Sequence, residues 1–285
     1  MKKRNMNEDA VVGIVVTVLL IGLVISITVM INTVYVPQWT EEQEASHMDQ
    51  IATQFTSFKQ NVDLQAMLQQ ETFLSSWFTL GSKEIPILNS GRTFGRLELI
   101  EDVYNITIES EEDDAALVNI STGRIKFDAG NSYFVPQSYI YENGALILKQ
   151  YDAHMLIGKP TFFVTTYGKN LSLTIIDING TIGKRTSSGY GITPVQTQVT
   201  DVSETEITLF DKMIIRTEYP NAWITALNAT LRQIDSGFTP DEYQITKTEN
   251  SVTLQFMDVG NIPAYPTLDL RKVTVFTQIA PGWIN

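Results

Sequence analysis

From Ala10 to Ile31 the chain carries no charged residue, only Val, Ile, Leu, Met, Gly, Ala, Thr and Ser. Twenty-two residues at about 1.5 Å each extend roughly 33 Å, enough to cross a hydrocarbon layer about 30 Å thick. The β-branched residues that fill the run weaken a helix in water. In lipid the backbone must satisfy its own hydrogen bonds, so a helix is the expected outcome. Gly13 and Gly22 leave shallow places where a second helix can approach. Lys2, Lys3 and Arg4 precede the run, whereas Glu41, Glu42 and Glu44 follow it. This charge asymmetry predicts a cytoplasmic leader over residues 1–9, a transmembrane helix over 10–34 and the remainder outside the cell, a single-pass protein of the cell membrane. Tyr35 and Trp39 then fall where an interfacial aromatic belt belongs. The run exceeds the roughly 7–15 apolar residues of a secretory signal, and no small-x-small cleavage site follows it.

Pro37 predicts a break or kink where the chain leaves the membrane. Beyond it, Thr40 is a candidate N-cap, and Met48, Ile51, Phe55, Phe58 and Val62 recur at alternating spacings of three and four. That pattern predicts an amphipathic helix in a juxtamembrane segment spanning 35–85, packed on the protein's own β domain or against a neighbouring subunit.

Residues 86–285 read as a β-rich domain entered through the connection Pro86–Arg92. Short β-branched and aromatic runs alternate with turn signals. They are Phe94–Ile100, Val103–Ile108, Ser138–Tyr141, Ala145–Leu148, Thr161–Thr166, Leu171–Ile178, Glu206–Phe210, Lys212–Thr217, Tyr243–Lys247, Val252–Phe256 and Val273–Ile279. Asn143-Gly144 and Asn179-Gly180 are two-residue hairpin signals. One helix interrupts the strands, opened by Pro220, carrying Trp223, Leu227, Thr230, Leu231 and Ile234 on one face and closed by Gly237. The expected fold class is α+β: a long N-terminal transmembrane and juxtamembrane helix, then a mainly antiparallel, sandwich-like domain with one inserted helix.

Acidic residues exceed basic ones by 12, and the only dense basic cluster is the leader, so no phosphate-neutralising stripe exists and nucleic acid is excluded as a partner. The chain has no cysteine, which removes disulfides, thiolate metal sites and cysteine nucleophiles. Its two histidines, His47 on the juxtamembrane helix and His154 in a loop-like stretch, lack ligand spacing, and no nucleophile motif accompanies them. Glu109–Asp114 is an acidic run without the spacing of a calcium loop, and reads as a solvated turn. Gly180, Gly183, Gly189 and Gly191 are too scattered around Lys184 for a phosphate loop. No catalytic, metal or cofactor site is predicted. Five Asn-x-Ser/Thr tripeptides, at Asn105, Asn119, Asn170, Asn179 and Asn228, are candidate N-glycosylation sites for a domain outside the cell.

A short basic and polar leader, an uninterrupted apolar helix and an amphipathic continuation resemble the N-terminal region of archaeal type IV pilin-like proteins. The stretches Asn131-Ser132-Tyr133-Phe134, Gln137-Ser138-Tyr139 and Tyr141-Glu142-Asn143-Gly144-Ala145 look like a recurring core of such surface proteins. The family pattern places Gly or Ala directly after the basic residues, where this chain has Asn5, so leader cleavage and a permanent anchor both remain open. The resemblance implies a surface location, membrane lipid as the partner of residues 10–34, and like helices of pilin-type subunits as possible neighbours. The expected role is structural or adhesive rather than enzymatic, as a minor pilin or filament component. A monomeric anchored binding module and an anchored hydrolase are the alternatives.

Overall fold

The computed structural model describes residues 6–69, 71–84, 93–110, 113–165, 169–233, 237–258 and 265–280. Helix α1 (Met6–Met30), a π-helical turn (Ile31–Tyr35) and helix α2 (Val36–Leu68) open the chain. Strands β1 (Leu74–Thr79), β2 (Phe94–Ser110), β3 (Asp113–Gly130), β4 (Gln137–Glu142), β5 (Ala145–Gln150), β6 (Ala153–Gly158) and β7 (Phe162–Thr165) follow. Next come β8 (Asn170–Gly180), β9 (Thr186–Gly189), β10 (Ile192–Ile207) and β11 (Phe210–Arg216). Helix α3 (Pro220–Leu231) precedes β12 (Tyr243–Lys247), β13 (Ser251–Phe256) and β14 (Leu268–Ile279).

The expected break at Pro37 is not there. Proline lacks the N–H that would bond four residues back, and its ring crowds that carbonyl. The helix absorbs both problems by widening into the π turn just before it, where the Val36 N–H reaches Ile31 O. Asn32 and Thr33 then donate to Thr28 O and Val29 O at 2.8 Å each. Thr40, expected as an N-cap, is an interior residue whose Oγ1 donates to Val36 O. The helix therefore runs on from the apolar segment to Leu68, where left-handed Gln69 closes it with its N–H on Gln65 O.

The strands form two sheets, one ordered β1-β10-β14-β8-β7 and the other β12-β13-β11-β2-β3-β4-β5-β6, with β9 beside β2. Pairing is antiparallel except between β14 and β8. Helix α3 touches β6 at one end of the larger sheet and β12 and β13 at the other, so that sheet curls round it. The architecture is α+β, a long N-terminal helix on a mostly antiparallel, curled β domain.

Two hydrophobic cores lie along the long strands. One gathers around α2, with Phe55, Phe58 and Val62 against Phe78, Leu97, Ile125, Tyr141 and Val195. The other gathers around α3, with Trp223 and Leu227 among Tyr104, Ile106, Ile147 and Leu173. Strands β2 and β8 serve one core and then the other, and change which face points inward. In β2, Leu97 and Leu99 enter the α2 core, whereas Tyr104, Ile106 and Ile108 enter the α3 core. The parity changes at a bulge between Ile100 and Tyr104, where Asp102 has φ 55°. In β8, Leu173 and Ile175 face the α3 core while Ile176 and Ile178 face the α2 core. Gly123 marks where the sheets meet: a Cβ there would lie 2.2 Å from Ile178 O.

Several expectations are revised. Phe94–Ile100 and Val103–Ile108 are the two halves of β2, joined by the bulge. Glu206–Phe210 is no strand, because β10 ends at Ile207 and the chain turns through Leu209 (φ 48°) into β11. Asn179-Gly180 makes no hairpin: both residues close β8, paired in parallel with Phe276 and Thr277. Strands β1, β3, β6, β9 and most of β10 escaped detection. The helix after Pro220 ends at Leu231. Ile234, Pro86–Arg92 and Lys2, Lys3 and Arg4 lie outside the described residues. The Asn143-Gly144 hairpin is present, with both residues at positive φ (46° and 76°) as a two-residue turn demands.

Candidate functional site

The feature that most demands a function is the bare surface of α1. Val11 to Met30 pack against nothing, with Leu19 67% and Ile14 64% exposed. The polar side chains in this stretch are turned back on their own helix. Thr17 donates to Gly13 O, Ser26 to Gly22 O and Thr28 to Val24 O, each at 2.8 Å. Hydroxyls satisfied in this way leave an almost wholly apolar cylinder. By length and hydropathy this helix is fit to cross a membrane.

The apolar stripe of α2 docks the helix onto the β domain, and a row of polar groups fixes how it sits. Phe58 meets Tyr141 edge-on at 5.1 Å, and Phe55 meets Phe78 at 4.9 Å. The outer edge of β1 faces α2, whose side chains take the place of a further strand. His47 Nε2 bonds Thr79 O at 2.8 Å, and Gln54 Oε1 accepts from Thr79 N at 3.0 Å. Asn61 donates to Ser76 Oγ, and buried Gln65 exchanges bonds with Thr197. An otherwise open sheet edge is thereby covered.

Glu44 is the strongest of these anchors. It is 1% exposed, and its carboxylate accepts three successive backbone N–H groups. Ser132 N lies 2.8 Å from Oε1, with Tyr133 N at 2.8 Å and Phe134 N at 2.7 Å from Oε2. Thr93 Oγ1 adds a fourth bond at 3.3 Å. Successive amides folded around an anion form a nest, here filled by a residue of the protein's own helix. Burial holds the His47 imidazole below its ordinary pKa, against the opposing pull of the bond to Thr79 O and of Glu44. His47 is therefore neutral at pH 7, with Nε2 as the donor to Thr79.

A second buried polar centre lies beside α3. Glu142 is fully buried, and its Oε1 accepts from Thr217 Oγ1 at 2.6 Å and Trp223 Nε1 at 2.9 Å. Arg124, 4% exposed, places Nη1 3.5 Å from Glu142 Oε2 and donates through Nη2 to Glu218 at 2.5 Å. Burial raises the Glu142 carboxyl, partly offset by those bonds and by Arg124. Next to it, Asn143 Oδ1 accepts the N–H of Ile176 at 2.7 Å, where β8 changes the face it presents. The centre ties β3, β4, β8, α3 and the segment that follows β11 together. His154, expected in a loop, lies half-buried on edge strand β6 with its ring edge-on to Tyr219 at 5.1 Å. Burial and Lys149 lower its pKa.

The two histidines serve different cores, and no group of three or more metal-binding side chains occurs among the described residues. Of the Glu109–Asp114 run, Glu109 pairs with Lys212 at 2.7 Å, and Glu111 and Glu112 lie outside the described residues. Asn119 is exposed, whereas Asn105, Asn170, Asn179 and Asn228 are half-buried. Sequence reasoning passed over Glu44, Arg124 and Glu142. Glu44 did carry a signal, because it stands four residues before Met48 on the apolar stripe, where a carboxylate needs a buried partner.

No protein-family model, curated protein or solved structure matches the chain.

Proposed function

We propose that this protein is a pilin-like, single-span surface protein whose role is structural or adhesive rather than catalytic. In this reading α1 lies in the bilayer with the leader cytoplasmic, and the β domain stands outside as a sandwich-like body interrupted by α3. The observation that carries the proposal is the bare apolar length of α1, which joins α2 in one helix rather than through a flexible linker. About fifteen Val, Ile and Leu residues between Ala10 and Ile31, at about 0.3–0.6 kcal/mol each, favour membrane insertion by roughly 5–9 kcal/mol. The embedded α2 then transmits any position or pull of α1 directly to the β domain, as a subunit held by its helix in a filament or membrane requires. Support for the pilin-like form comes from two of the three stretches that look like a recurring core of such proteins. Asn131–Phe134 forms the nest that grips Glu44 of the helix, and Tyr141–Ala145 carries Tyr141 against Phe58 together with buried Glu142 and Asn143.

N-terminal sequencing of the mature protein from its native membrane tests the pilin-type form. A mature chain that starts at or near the apolar run supports a processed pilin-type subunit. A retained Met1–Asp9 leader in every molecule would overturn that form and leave a permanent anchor.

A further inference from the structure

The five Asn-x-Ser/Thr tripeptides look equivalent as sequence, but the fold separates them. In helix α3, Asn228 donates Nδ2 to Ile224 O at 3.0 Å, and the hydroxyl of its partner Thr230 is buried on Phe162 O. Asn105 donates Nδ2 to Asn119 Oδ1 at 2.6 Å, its Oδ1 accepts from Arg216 at 3.1 Å, and Thr107 is only 7% exposed. Asn170 and Asn179 are half-buried at the two ends of β8.

Asn119 is different. It and Ser121 are both exposed, and they share one face of β3, while Val118 and Ile120 pack on the α3 core from the other. Strand β4 covers β3 only from Arg124 to Asp128, so this part of β3 extends past that neighbour. The bond from Asn105 holds Asn119 Oδ1, which directs Nδ2 away from that pair. An N-linked sugar leaves Oδ1 in place, so the Asn105–Asn119 bond survives modification.

We propose that Asn119 is the N-glycan acceptor of this protein, modified by an oligosaccharide carried on a lipid phosphate. Asn119 Nδ2 attacks the anomeric carbon of that donor. A C–N bond replaces the anomeric C–O bond, the lipid phosphate leaves with the electron pair, and the amide gives up one proton. The glycan then shields the uncovered stretch of β3, where an unprotected strand invites pairing with another chain. The inference rests on the reading that the β domain faces outward.

The test is intact-mass and peptide mass spectrometry of the full chain from its native membrane, alongside Asn119→Gln, Ser121→Ala and Asn105→Gln. Lysine labelling of intact cells with a membrane-impermeant amine reagent reports which side the domain occupies. We expect mass added to that of the mature polypeptide, itself at most 32.0 kDa, with the added mass lost completely in the first two variants and kept in the third. A labelled domain with no added mass, or added mass that persists in Asn119→Gln, overturns the assignment and leaves the topology intact. A domain neither labelled nor modified overturns both.

Discussion

Glu44→Gln is the most informative single change. The substitution keeps the side chain's length but replaces one acceptor oxygen with an NH2 group. Four donors converge on the native carboxylate, two on each oxygen. With the NH2 in the Oε2 position, the Tyr133 and Phe134 N–H groups both face a donor; in the Oε1 position only the Ser132 N–H does, because the Thr93 hydroxyl can turn to accept. Even the better orientation loses one hydrogen bond to a charged group, about 1.5–3 kcal/mol, and weakens two others to neutral strength, about 1 kcal/mol or a little more each, a direct loss of about 3–6 kcal/mol. Ser132 and Tyr133 are exposed residues, so water recovers part of it, and a net cost of about 2–4 kcal/mol is expected. At about 2–4 °C per kcal/mol for a domain of this size, the melting temperature should fall by roughly 5–15 °C. Near-ultraviolet circular dichroism in detergent micelles measures it, and hydrogen exchange should show faster exchange at the amides of 132–134. Exposed Glu42→Gln is the control, expected within about 0.5 kcal/mol of the native chain. If Glu44→Gln melts with the control and its loop amides stay protected, the nest does not hold the helix.

Phe58→Ala should cost about 3–5 kcal/mol, because a fully buried ring packed on Phe78 and Tyr141 is removed; chemical denaturation giving under about 1 kcal/mol would contradict docking of α2. Arg124→Ala leaves Glu142 buried without its cation and should cost about 3–5 kcal/mol, whereas Arg124→Met with Glu142→Met should recover much of that loss; a double variant as unstable as the sum of the singles would count against the coupling. Because burial lowers the pKa of folded His47, the unfolded chain takes up that proton first on acidification. The stability His47 contributes is complete above about pH 6.5 and declines as pH falls from there through its folded pKa. Gln at position 47 can still donate to Thr79 O, so between about pH 7.5 and 5 the native chain should lose more melting temperature than His47→Gln, and parallel curves would refute the assignment.

The helices were the legible part of this chain. An uncharged apolar run and a stripe at spacings of three and four announce α1 and α2 because helical periodicity is local. Pro37 misled, since a π turn one step upstream satisfies what proline forfeits, and nothing in the residue order distinguishes a kink from that repair. In the β domain, β4, β5 and β8 were legible as short β-branched and aromatic runs even though their side chains divide between the two cores. Strand β2 read as two strands because its apolar positions pass from odd to even across the bulge at Asp102, as the strand turns its other face to the second core. Most of β10 went unseen because Pro194 interrupts its first half and its second half is a mixture of exposed Asp, Ser, Thr and Glu. Glu44 and Glu142 act through partners 88 and 75 residues away in sequence, a relation that no local pattern encodes.

Where α1 resides is measured most directly by vesicle flotation of the full-length chain. Detergent is removed in the presence of lipid vesicles and the mixture is spun on a density gradient in high salt, which screens surface charge. The protein should float with the vesicles and stay with them. Recovery as a dispersed, detergent-free monomer at the bottom of the gradient would contradict the membrane role assigned to α1.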